Sequence, residues 1–287
     1  MGDTTTVPDF AGEFADAAES FAELDGVLWD PISTATVARS RPEFDERVLD
    51  ACCGDGASAL PTAELVGVGG LVDAVDLAEP MIERVRARAG DRMPQLHAHV
   101  GDVTQWEPTG YDLVQCVLGI FFFPDVEAGT RHLIERARPG GRVVFTVWAR
   151  GAIEPLPELL VAALPEAAQP DAAQPDAAQP DAAQPDLDEL TRPAMEAADT
   201  AGTLAHWLTE LGLEQVRAES VQRHLDLTPE LAWLLVRGTG LRAVVSDLDE
   251  EALAGVRERY LAAIAERELR SIDVTTLIAV GRRPSVE

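Results

Sequence analysis

The chain has 287 residues, with 50 acids against 23 bases, all of them arginine, giving a formal charge of −27 and a pI near 4.4. Such a chain is repelled by phosphate backbones and anionic lipid, so nucleic acid and membrane are not expected as partners. Its 46% apolar content excludes disorder throughout.

Residues 1–40 carry Phe10, Phe14, Phe21, Leu24 and Leu28 on a helical spacing. They read as a helical segment that either simply packs on the core or, because it immediately precedes the first strand, forms an N-terminal helical lid over the ligand cleft. Its start has no basic-then-apolar leader pattern, and no apolar run in the chain approaches 18 residues. With three cysteines, two of them adjacent, no disulfide framework is expected, and a reducing, cytoplasmic setting is.

Residues 41–150 alternate short apolar runs with helical stretches. Strands are predicted at 47–53, 71–76, 96–100, 112–118 and 142–148, with helices at 57–66, 79–89 and 126–137. Single helices between strands demand parallel crossovers, hence an α/β, Rossmann-like, doubly wound sheet. Residues 151–199 form a Pro/Asp-rich low-complexity loop, with four copies of Ala-Ala-Gln-Pro-Asp at 167–186. A proline every five residues blocks a helix, while the acids stay hydrated. Residues 200–287 should complete the sheet: a helix at 200–211, a strand at 216–227, a helical insertion at 229–267 and a last strand at 273–282. Residues 1–40 hold 8 acids to 1 base and 151–200 hold 11 to 1, so −17 of the −27 lies outside the body of the fold.

Ligands of an open parallel sheet bind beyond the carboxyl ends of its strands. There the chain offers Asp50-Ala-Cys52-Cys53-Gly54-Asp55-Gly56, whose glycines let the backbone approach a ligand closely. Asp76 ends the second strand, placed to accept ribose hydroxyls, and Gly101-Asp102-Val103 ends the third. Gly54 to Ala59 also fits the dinucleotide pattern G-x-G-x-x-A. An acid at Asp50 would repel a diphosphate, however, and would favour a cationic ligand such as S-adenosylmethionine.

In this order the motifs resemble the class I S-adenosylmethionine-dependent methyltransferases, in the small-molecule branch with the ubiquinone and menaquinone enzymes. The family's acid-x-Gly-x-Gly-x-Gly turn matches Asp50 to Gly56, with Cys52 at the first glycine position. The resemblance implies a seven-stranded sheet with an antiparallel last strand and S-adenosylmethionine as cofactor. It implies contacts from Asp50, Cys52, Gly54, Gly56, Asp76 to the ribose, Leu77 to the adenine, Asp102, Val103 and Cys116. The expected reaction is methyl transfer to a small organic acceptor in specialised metabolism. Two alternatives stay open: a cofactor-binding protein without transfer activity, and a methyltransferase acting on a macromolecule.

Acceptor contacts are expected from Trp29, Phe121, Phe122, Trp233, Arg237 and Arg242. The two arginines would clamp a substrate anion or pair with surface acids. His206 and His224 are the candidate bases. His97 and His99 face one side of the third strand and are expected to pack. No metal site is expected, because no Cys-x-x-Cys or His-rich spacing occurs. No heptad or other interface signature indicates an oligomeric state.

Overall fold

The computed structural model describes residues 10–165 and 198–285, so the Ala-Ala-Gln-Pro-Asp copies lie outside the described residues. Helices α1 (Phe10–Glu23) and α2 (Asp30–Ser40), joined by a wide π turn at Asp25–Trp29, precede the sheet. The first half then runs β1 (Arg47–Ala51), α3 (Ala59–Val66), β2 (Leu71–Asp76), α4 (Glu79–Ala89), β3 (Leu96–Val100), β4 (Tyr111–Val117) and α5 (Val126–Arg136). β5 (Ala137–Trp148) and α6 (Leu156–Ala162) follow. The second half contains α7 (Ala201–Glu210), β6 (Glu214–Val221), β7 (His224–Asp226), α8 (Pro229–Gly238), α9 (Glu250–Glu266), β8 (Ser271–Asp273) and β9 (Thr276–Arg282).

Seven strands form one sheet in the order β3-β2-β1-β4-β5-β9-β6. The pairings from β3 to β5 are parallel, whereas β9 is antiparallel to both β5 and β6. Central strands such as β1 and β2 are buried along nearly their whole length, as parallel strands covered on both faces must be. Ala59, Ala63 and Val66 of α3 and Ile82 and Val85 of α4 cover one face, against Val48, Val72 and Leu113. Leu133 and Ile134 of α5, with Leu204 and Leu208 of α7, belong to the core on the other face.

The expected single strand at 216–227 is two strands, and so is the last. β7 pairs with β8 in a separate two-stranded sheet. The break in the last strand has a local cause: the Asp273 carboxylate accepts the Thr275 N–H at 2.7 Å. That short side-chain turn competes with the ladder and re-aims the chain before Thr276. The antiparallel end expected of the sheet is present in β9.

Candidate active site

Strand order reverses between β1 and β4, which opens a crevice at their carboxyl ends. Three residues of the turn above β1 take left-handed backbone: Cys52 at φ 54°, Gly54 at 54° and Gly56 at 98°. For cysteine this conformation costs about 1 kcal/mol. Room for its side chain comes from Gly119, after β4. A Cβ on Gly119 would stand 2.5 Å from Cys52 Cβ, 2.8 Å from its Sγ and 2.9 Å from Cys116 Sγ. Its hydrogen bond with Cys116, together with burial, pushes the Cys52 thiol well above its ordinary value. The two sulfurs therefore pack against each other across the β1–β4 crevice.

Asp50 is not open at the mouth of the turn, as the sequence suggested, but fully buried beneath it. Its Oδ1 accepts the Ser58 hydroxyl at 3.1 Å and its Oδ2 accepts Gln115 Nε2–H at 2.7 Å. Parallel pairing of β1 with β4 sets Gln115 directly beside Asp50. Burial pushes the Asp50 carboxyl up to about 7, against the pull of these two bonds. Asp50 thus braces the turn from below. Gln115 and Ser58 were missed in the sequence, because only strand register and the entry angle of α3 reveal them.

Asp76 ties the turns together. Its Oδ2 accepts the Gly54 N–H at 2.9 Å and its Oδ1 the Ala78 N–H at 3.0 Å. Burial raises its pKa and these N–H donors lower it, with a net upward shift. Leu77, next in the chain, is 52% exposed. Asp102 Oδ1 accepts both the backbone N–H and the hydroxyl of Thr104, at 2.8 and 2.7 Å, and so caps the short turn Val103–Gln105. The Val103 side chain is buried in the core.

The N-terminal segment lies over this turn. A Cβ on Gly54 would meet Phe21 Cζ at 3.2 Å. Phe21 stacks on Trp29 with ring centroids 4.6 Å apart, and Trp29 Nε1–H donates to the Phe21 carbonyl at 3.0 Å. Phe14 meets Phe21 edge-on at 6.4 Å and Phe122 at 5.1 Å, and Phe122 contacts Phe121 at 5.4 Å. The fold therefore gathers Trp29, Phe121 and Phe122 into one aromatic roof with Phe14 and Phe21.

Two sets of arginines fasten that roof. Arg88 reaches from α4 to Asp25 at 3.1 Å and to Asp55 at 2.9 Å, joining the lid to the glycine turn. Burial, then the charge of Asp55, pushes the Asp25 carboxyl up to about 7. Arg237 Nη2–H donates to Ser20 Oγ at 2.6 Å, and Arg242 lies 3.4 Å from both Glu13 and Asp16. Rather than standing ready for a substrate anion, Arg237 and Arg242 hold α1. Gly238 beside them serves the same contact, since a Cβ there would stand 2.6 Å from the Ser20 carbonyl oxygen.

Other expected acceptor residues lie apart from the roof. Trp233 is buried between α8 and α9, 6.3 Å from the Tyr260 ring, with Arg257 above it at 5.9 Å. His206 is 76% exposed and 3.5 Å from Glu210, because Leu204 and Leu208 turn the opposite face of α7 inward. His224 is exposed on β7, opposite Asp273. Among the described residues, neither histidine is brought to the glycine turn. An apolar crevice lined by Ile120, Phe121, Val147, Trp148 and Trp207 has a water-accessible volume of about 10 Å³, enough for about one water.

An open parallel sheet, an acid-flanked glycine turn at its switch point and carboxylates ending three successive strands define a nucleoside-binding α/β enzyme. A methyltransferase-domain family model matches residues 48–141. Over 172 residues the chain is 30% identical to an aklanonic acid methyltransferase of Streptomyces sp. (strain C5), spanning 58% of this chain and 78% of that one. It is 37% identical to a nocamycin O-methyltransferase of Saccharothrix syringae over 109 residues, 37% of this chain and 38% of the relative. The YcgJ protein of Bacillus subtilis shares the fold at TM-score 0.54 and 12% identity, with 89% and 99% of the two chains covered. A phosphoethanolamine N-methyltransferase of Haemonchus contortus does so at 0.53 and 14%, with 93% and 57% covered. The chain belongs to the class I S-adenosylmethionine-dependent methyltransferases.

The residues present fit that cofactor. Asp76 commits one hydrogen bond per oxygen to the backbone, which leaves each a lone pair for a ribose hydroxyl. Leu77 holds an apolar side chain free at the cleft margin, suited to a purine face. The buried Asp50 and the half-buried Asp76 place carboxyl groups at this turn, where a diphosphate would need hydrogen-bond donors.

Proposed function

We propose that the enzyme methylates an oxygen of a small, largely apolar organic acceptor of specialised metabolism, and that it works in the cytoplasm. The observation that carries this reading is the aromatic roof of Phe14, Phe21, Trp29, Phe121 and Phe122 above the strand-order reversal. Such a surface favours a flat apolar molecule and excludes water around the reacting atoms. The names of the relatives, an aklanonic acid methyltransferase and a nocamycin O-methyltransferase, point the same way. The sequence shows no basic stripe and no Asn/Asp-Pro-Pro-Tyr-type amine-binding motif after β4, which argues against nucleic acid, and no helix among the described residues is long and apolar enough to cross a membrane. The three free thiols suit a reducing compartment.

When bound, the cofactor supplies an electrophilic methyl carbon on a sulfonium. On this reading Asp76, Leu77 and Asp102 hold its nucleoside, and the glycine turn with Cys52 and Cys116 lines the methionine end. Residues 1–40 act as the lid that seats the acceptor and sheds water. Proximity of this kind contributes roughly 7–11 kcal/mol to a displacement. A carboxylic acid is already ionised near neutral pH, so its transfer needs no dedicated base, whereas a phenol or enol passes its proton to water or to a base beside the acceptor during transfer. Transfer to a carboxylate therefore requires neither His206 nor His224 at the turn.

The test is an assay of the purified protein with S-adenosylmethionine and a panel of aromatic phenols and carboxylic acids, read as S-adenosylhomocysteine release and a methylated product by mass. Turnover of at least one such acceptor is expected. Turnover confined to RNA or protein substrates, or cofactor binding without any transfer, would overturn the reading.

A further inference from the structure

We infer that Asp73, His97 and His99 form a binding site for one divalent transition-metal ion of zinc's class, set back from the cofactor crevice on the β2–β3 edge of the sheet. His97 and His99 are two apart on edge strand β3, so both imidazoles leave the same face. The parallel register places Asp73 of β2 directly opposite His97 and one diagonal step from His99. Asp73 Oδ1 lies 2.9 Å from His99 Nε2 and 3.9 Å from His97 Nδ1, and the three ligand atoms lie within 4.8 Å of one another. Metal–ligand bonds of about 2.0–2.2 Å in a tetrahedral site put ligand atoms about 3.3–3.5 Å apart. The observed spacings straddle that value, so small side-chain rotations close the set on an ion.

The surroundings match a metal site in two further respects. The second Asp73 oxygen is held by the Tyr111 hydroxyl at 2.8 Å, and that hydroxyl accepts Trp106 Nε1–H at 3.0 Å. A carboxylate fixed at one oxygen presents the other to a metal in a set orientation, as supporting groups around bound metals do. The side chains of His97 and His99 are 52% and 37% exposed, whereas that of Asp73 is 10% exposed. An ion can therefore enter from solvent and keep an open fourth position for water. Two imidazoles and one carboxylate select zinc, cobalt, nickel or copper over magnesium and calcium, which require mainly oxygen ligands. The bound ion would staple edge strand β3 to β2.

The experiment titrates Zn²⁺ into chelator-stripped full-length protein against a chromophoric chelator, with Co²⁺ absorption as a second readout. One equivalent is expected to bind, with affinity falling at least about tenfold in His97→Ala and in His99→Ala, since each removes one of three ligands. Zn²⁺ should also raise the melting temperature of the wild type and not that of the double variant. His97→Ala leaves the Asp73–His99–Tyr111 chain intact, so unchanged S-adenosylmethionine binding in that variant certifies its fold. Binding equally tight in both single variants would show zinc held by other carboxylates of this acidic chain and overturn the assignment. So would the lack of one-equivalent binding in the wild type.

Discussion

The cofactor crevice and the lid above it are built by different kinds of bond. In the crevice, carboxylates at strand ends hold backbone N–H groups: Asp76 takes Gly54 and Ala78, and Asp102 takes Thr104. In the lid, side chains meet across most of the chain, with Arg237 to Ser20 spanning 217 residues and Arg242 to Asp16 spanning 226. The first kind is short-range geometry that a motif can encode. The second depends on where whole helices dock, and single contacts of this type are individually replaceable. The crevice should therefore respond to point changes as an all-or-none platform, and the lid as a graded one.

The sharpest way to break that contrast is Asp76→Ala. It removes two charge-assisted anchors of the turn together with the carboxylate proposed to hold the ribose, each such bond being worth about 1.5–3 kcal/mol. S-adenosylmethionine affinity by calorimetry is expected to fall about 100-fold or more, and an effect under threefold would show that Asp76 is only structural decoration. A smaller loss is expected from Gly238→Val. Its Cβ would stand 2.6 Å from the Ser20 carbonyl and 2.8 Å from Leu24 Cδ1, so α1 must shift. Overpacking of this kind costs about 1–3 kcal/mol. Limited proteolysis should cut within residues 10–40 faster than in the wild type while the sheet stays resistant; equal cleavage rates would disprove the docking role.

The mildest effect is one of pH. Asp25 and Asp50 each titrate near 7 in the folded protein, above the ordinary 3.8, mainly through burial. Both bind their protons more tightly folded than unfolded. Their contribution to stability is complete below about 3.8 and is lost as pH rises through about 7. Melting temperature should decline from pH 6 to 8, and Asp25→Asn should flatten part of that decline. An identical slope in the variant would refute the lid's share. Because Asp25 touches Arg88 and Asp50 lies under the turn, this measurement also separates latch from platform.

Much of the crevice was legible before any coordinates. Asp76 and Asp102 stand at the strand ends where apolar runs stop, and the spacing of Gly54 and Gly56 marks a tight turn whatever surrounds it. The position of Cys52 was legible too, but not its left-handed backbone or the space that Gly119 provides. For Arg237 and Arg242 the sequence left two readings, a clamp on a substrate anion or pairing with acids, because an arginine's partner is a matter of docking. In this fold Arg237 meets Ser20, and Arg242 meets Glu13 and Asp16. The placement of His206 was not legible for a simpler reason: Leu204 and Leu208 decide which face of α7 turns inward, and His206 lies on the other.

By itself, the sequence determined the α/β class, the parallel half of the sheet and the acid-flanked glycine turn, since hydrophobic periodicity and turn chemistry act over a few residues. Only the tertiary structure decided that Asp50 lies beneath the turn against Gln115, and that Phe21 of the lid closes on Gly54. It likewise brought Asp73 between His97 and His99. Those contacts follow from strand register and helix docking, which bring together residues the chain keeps far apart and which no local pattern specifies.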